Sequence, residues 1–278
     1  MFDSEFGSMA LIYKHMFNIL KVESELNGED RWDRSGFQAL LPHCIEFQKS
    51  IHDSDTSHQD RLVLYPKYLK CTSRLVSKLV SIVSNEIHDE KLLLVVIRSM
   101  ASLHKNALDE SKKTKTTTTT IQQILYDDEA SVVMIILHLL SLFESFASDL
   151  NAKSSTGTTN QSDKEPLTES SLELFISLLS TLCPPDQHGL ISQANSTRFS
   201  SHRLSLSFEG ALGSQLVLSL LTTCKHKSKL IATTAMDALL LSMRCFGEHR
   251  ATWRACFPGT FSGLFIISQS GFKRCDSY

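Results

Sequence analysis

Apolar residues along this chain recur at intervals of three and four, the period of a helix that buries one face. The pattern is sharpest in the C-terminal third. There Ile231, Ala235, Ala238, Leu239 and Ser242 fall on one face. Ala232, Ala235 and Ala238 allow close approach of a second helix, and Leu230, Leu239 and Leu240 add volume to either side. A shorter apolar helix is predicted over Leu216–Cys224, joined to the first by the polar turn Lys225 to Ser228, with Ser228 as N-cap. Gly247 is a helix stop, and a further helix is expected to open at Pro258 or Gly259.

The same spacing predicts helices upstream: Met9–Glu25, one capped by Asp33 or Ser35, Leu62–Ser84, Asp89–Leu108, Asp127 or Glu129 to Leu150, and Thr168–Leu182. In the second, Phe37, Leu40, Leu41, Cys44, Ile45 and Phe47 form the stripe, and Pro42 predicts a kink or a late start. Pro66 is read as lying in a first turn, where its missing N–H has no partner to lose. Lysine- and threonine-rich residues 109–120 and serine-rich residues 151–166 and 186–207 are expected to be flexible loops. The most apolar run, Val132–Phe143, spans only twelve residues, too few to cross a bilayer.

Helical pairs joined by short turns cannot bury their own apolar faces and need similar neighbours. The expected fold is therefore all-α: an α-solenoid of HEAT- or armadillo-like hairpins in a single segment, residues 9–278. Six prolines and eleven glycines in 278 residues leave room for long helices. A formal net charge of -2 gives no reason to expect nucleic acid or an anionic membrane as partner. Seven cysteines lie singly, without a CxxC pair, as expected in a reducing compartment. Met1–Gly7 is acidic and lacks the apolar core of a signal peptide, so a cytoplasmic, and also nuclear, location is expected. Residues 5–8 (EFGS) are similar to a cloning linker, which would make Met9 the natural start.

Chemistry is sparse. Neither GxxxxGK[ST] nor GxGxxG is present. Residues 259–263 (GTFSG) miss the GxSxG elbow by one position. The triplets at Asn160 and Asn195 are chance glycosylation matches in polar loops, and Arg198 and Arg203 lie among serines that a basophilic kinase would accept. The densest Cys/His group is Cys224, His226, Cys245, His249 and Cys256; Cys245 and His249 are four apart, a spacing that places two metal ligands on one helical face. Packing accounts for these residues more simply, and a helical metal-dependent domain using Cys245 and His249 stands as the alternative. No catalytic, cofactor-binding or metal residue is assigned, and the expectation is a protein that is not an enzyme, with no small-molecule substrate or cofactor.

Two segments carry a resemblance. Residues 37–45 (FQALLPHCI) with 62–69 (LVLYPKYL) look like the opening helices of the Tel-two-interacting protein one family, the α-solenoid scaffold of the Triple T complex. Residues 257–264 (FPGTFSGL) with 271–274 (GFKR) are similar to that family's PG-x-x-S-x-L repeat and GDFK turn, with Gly271 where the family usually carries aspartate. The family's members are much longer, so the resemblance implies an N-terminal part of a longer scaffold. It implies a non-enzymatic adaptor that binds the other Triple T subunits and works with the heat-shock-protein-ninety machinery. The role implied is maturation of phosphatidylinositol-three-kinase-related kinases. An unrelated HEAT or armadillo adaptor in transport or trafficking is the alternative.

Overall fold

The computed structural model describes residues 2–28, 32, 34–53, 58–81, 90–111, 117–156, 165–183, 208, 211–246, 249, 252, 253 and 256. Every regular element among them is helical: α1 (Phe2–Gly28), α2 (Arg34–Asp53), α3 (His58–Ser81), α4 (Glu90–Ser111), α5 (Thr117–Asp127), α6 (Glu129–Thr156), α7 (Glu165–Leu182), α8 (Ala211–Thr223) and α9 (Lys229–Cys245). The chain divides into two compact units, one of residues 1–138 with 161–174 and the other of residues 139–160 with 175–278.

In the first unit, α1 packs on α2 and α3, and α4 packs on α2, α3 and α5. The buried stripe of α1 runs Ile12, Met16, Ile19, Glu23, Leu26, the i, i+4, i+7 series that faces a core, and leaves Leu11 on the surface. On α2 the stripe is Phe37, Leu40, Cys44 and Phe47, all buried. Pro42 neither delays nor ends this helix, which starts at Arg34 and continues past it. Its ring lies on the exposed side, where water can satisfy the carbonyl that its missing N–H leaves free, while the buried stripe holds both halves together. Pro66 is likewise inside α3 rather than in its first turn, because the helix starts at His58.

Parts of the expected loops are helical. Residues 109–111 end α4, threonines 117–120 open α5, 151–156 extend α6 and 165–166 open α7. Threonine is a poor helix former, but Ile121 and Leu125 are fully buried one and two turns on, and tertiary packing outweighs the small per-residue propensity of about 0.5 kcal/mol. Residues 112–116, 157–164 and 186–207 lie outside the described residues, as do Gly247, the helix expected from Pro258, and the motifs at 257–264 and 271–274.

Helix α6 corrects the twelve-residue reading of the apolar run. Glu129–Ser148 is 20 residues with a mean hydropathy of 1.9, long and apolar enough to cross a membrane by length and composition, and 44% of that stretch is buried within the protein. Its inner positions include Ile135, Leu139 and Phe143. His138 interrupts them, its Nε2 buried without a hydrogen-bond partner, and burial pushes the imidazole below its ordinary value of 6.5. The folded state therefore binds fewer protons than the unfolded chain below pH 6.5, so stability is full above that value and falls as pH drops toward the depressed one. Replacing His138 by leucine is expected to flatten this acid limb. Melting temperatures of both proteins between pH 7.5 and pH 5 check it, and parallel curves would refute it.

In the second unit, α8 and α9 pack as a hairpin across a tight turn. The buried residues of α9 are Ile231, Ala235, Ala238, Leu239, Ser242, Met243 and Cys245, the face expected from its small-residue spacing. Ser228 occupies the N-cap position, but its side chain makes no capping bond; its N–H donates instead to His226 Nδ1 at 3.0 Å. Gly213 is buried in α8 because a Cβ there would strike the backbone carbonyl of Phe208 and lie 2.9 Å from Thr252 Cγ2. Alanine ordinarily stabilises a helix by about 1 kcal/mol over glycine. Here the sign reverses: Gly213→Ala is expected to cost about 1–3 kcal/mol in urea unfolding, because backbone must move to admit one methyl. A stabilised variant would show that the contact is soft.

Candidate functional site

The residues singled out for metal chemistry are dispersed into packing roles. Cys245 is buried at the end of α9. His249 donates its backbone N–H to the Phe246 carbonyl at 3.0 Å, and its ring lies 5.7 Å from Phe208 and 6.4 Å from Phe246 between centroids. Cys224 is half-buried after α8, and the Cys256 thiol lies 4.0 Å from the Ser214 carbonyl. Among the described residues no group of three or more His, Cys, Asp or Glu side chains is placed to hold a metal ion. The four-residue interval does not bring Cys245 and His249 onto one helix, since α9 ends at Cys245. Asn160, Asn195, Arg198, Arg203 and the 259–263 segment lie outside the described residues.

Two polar constellations in the first unit were not legible as pairs. Tyr65 on α3 and His104 on α4, both fully buried, share a short hydrogen bond between the phenol oxygen and Nδ1, with their rings 5.5 Å apart. Burial pushes the Tyr65 phenol well above its ordinary range, so it stays a neutral phenol and not a phenolate. One turn along α3, Tyr68 stacks at 4.4 Å on Phe47 of α2, and its hydroxyl lies near Thr72 and Ser99 without a hydrogen bond of ordinary geometry. The second constellation is Glu23 on α1, which accepts two bonds from Arg74 on α3, at 2.5 Å from Nε and 2.9 Å from Nη2. The carboxylate is nearly buried while the guanidinium is half in water, and these bonds favour the charged form of Arg74. Glu23 falls in the apolar register of Ile19 and Leu26, and a carboxylate inside such a stripe is the signal that could have marked Glu23 as needing a partner, without saying which.

None of this arrangement supplies a nucleophile. Cys44 and Cys71 are buried, and burial alone raises the Cys44 thiol to about 12 and is the largest influence raising Cys71. Neither forms thiolate near neutrality, so both are expected to resist a thiol-reactive disulfide reagent in the native chain and to react on unfolding in urea. Mass mapping of labelled cysteines checks this; labelling of Cys44 at the rate of the unfolded chain would refute it.

The remaining feature lies on the surface. The α8–α9 turn and the start of α9 carry Lys225, Lys227 and Lys229, all exposed, and the two helices carry Leu218 and Leu230, which are 54% and 57% exposed. No protein-family model, curated protein or solved structure matches the chain significantly.

Proposed function

We propose that this chain is a non-enzymatic scaffold of stacked helical hairpins. The observation that carries the reading is the packing order of the first unit. Helix α1 contacts its hairpin partner α2 and also α3, while α4 contacts its partner α3 and also α2. That order supports two hairpins laid one on the next, first helix on first and second on second, over an up-and-down bundle, which would pair α2 with α3 and α1 with α4. Continued stacking makes an α-solenoid, whose business is to present surface.

The specific version is a relative of the Tel-two-interacting protein one family, acting in the cytoplasm or nucleus with the Triple T subunits and chaperone machinery on phosphatidylinositol-three-kinase-related kinases. In support, the motif positions Phe37, Leu40, Cys44, Leu64, Tyr65, Tyr68 and Leu69 are all core positions of α2 and α3, the use to which a solenoid puts such residues. Affinity capture of the tagged chain from cell lysate, with mass spectrometry of the bound proteins, is expected to recover the companion subunits and at least one such kinase. Capture of trafficking adaptors in their place would move the chain to an unrelated repeat family, and stoichiometric zinc in the purified protein would overturn the scaffold reading.

A further inference from the structure

We infer that the α8–α9 hairpin is a docking surface for an acidic amphipathic helix of a partner protein; this rests on the scaffold reading and names the part of the scaffold that grips. Exposed apolar side chains are ordinary when scattered. Half of them fall in one hairpin: of the eight exposed large hydrophobic residues among those described, Leu212, Leu218, Leu230 and Met236 lie on α8 and α9. Helix α9 already buries one complete face, through Ile231, Ala235, Ala238 and Ser242. Leu230 and Met236, 57% and 44% exposed, lie away from that face and so are surplus to its packing within the chain. Methionine suits a partner helix, because its unbranched side chain adjusts to the ridges presented to it, and leucine adds apolar area beside it.

The charge pattern decides the sign of the partner. Lys225, Lys227 and Lys229 fall within five residues, are exposed, and make no ion pair among the described residues. A helix carrying leucines on one side and Asp or Glu along its flank satisfies both features. An anionic bilayer suits them less well, because polybasic membrane segments carry roughly four to eight Lys or Arg. Exposed Asp237 also sits between Leu230 and Met236 on the helical wheel, where a bilayer surface would repel it.

Fluorescence anisotropy of the full chain with a labelled synthetic amphipathic helix, leucine on one side and glutamate on the flanks, tests the assignment. Saturable binding is expected, weakened about tenfold or more in K225E/K227E/K229E and in L218S/L230S/M236S, each first shown to keep its helical circular dichroism and melting temperature. A peptide with lysine in place of each glutamate is expected to bind the wild type at least about tenfold more weakly and the Lys→Glu triple variant more tightly than it binds the wild type. Equal binding of the two peptides by the wild type, or acidic-peptide binding unchanged in both variants, would overturn the proposal. Binding to phosphatidylserine vesicles without peptide binding would reassign the surface to a bilayer, and a dimer dispersed by L218S/L230S/M236S would reassign it to a second copy. Lysate partners retained by variants that have lost the peptide would sink this surface and leave the scaffold reading intact. Peptide binding retained in a chain that captures no partner would do the reverse.

Discussion

Replacing Trp253 by alanine is expected to remove about 3–5 kcal/mol of stability, a large share of the 5–15 kcal/mol typical of a folded domain. The indole is 1% exposed and lies 5.4 Å from the ring of Phe208, which is itself stacked on Phe246 at 4.2 Å and only 8° from parallel. Truncation empties a volume whose walls are held by α9 and by the Gly213 contact with Phe208, so little collapse is available to relieve the cavity. A second loss adds to it. The indole Nε1 donates to the Phe246 carbonyl at 2.8 Å, so a distant side chain caps the orphan end of α9. Trp253→Phe keeps most of the volume and loses the donor, and is expected to cost about 1–2 kcal/mol. Urea unfolding followed by far-UV circular dichroism measures both. A Trp253→Ala variant within about 1 kcal/mol of wild type would show that this aromatic group is not a core.

The next largest effect is expected at the buried Tyr65–His104 bond. His104→Ala opens a cavity between α3 and α4 and strands the phenol, and about 3 kcal/mol should be lost. Tyr65→Phe keeps the shape and removes the imidazole Nδ1's partner in this bond, a loss of about 1–3 kcal/mol. The informative variant carries both Tyr65→Phe and His104→Leu. Because this pair removes both ends of the Tyr65–His104 bond together, it should be more stable than the sum of Tyr65→Phe and His104→Leu made singly implies. A double-mutant cycle by urea unfolding reads that coupling directly. Strict additivity would mean that the two groups do not depend on each other, despite their short contact.

How far these features were legible differs from helix to helix. Five positions of the α9 face were readable, because Ile231, Ala235, Ala238, Leu239 and Ser242 follow a local rule, the rotation per residue of a helix; buried Met243 and Cys245 were not among them, and Leu230, expected to add packing volume, is exposed. The resemblance motifs at 37–45 and 62–69 were readable as packing positions for the same reason. Pro42, Pro66 and the threonine run misled, since each is a local preference of at most a few kcal/mol set against buried side chains on neighbouring turns. Ser228 shows the intermediate case: its place at the helix start was predictable, but its hydrogen bonding was not, because His226 competes for its backbone. The pairing of Glu23 with Arg74 spans 51 residues and that of Tyr65 with His104 spans 39, and no periodicity reports a partner at such a distance.

Sequence alone determined that the described chain is helical and which side of most helices turns inward, since both depend on the order of apolar and polar residues within a few turns. Tertiary structure decided which helices meet, where Glu23 and His104 find partners, why Gly213 tolerates no side chain, and that α9 ends at a buried Cys245 while His249 lies beyond it beside Phe208 and Phe246. Those outcomes depend on contacts between residues far apart in the chain, whose free energies exist only once the intervening helices have been brought together.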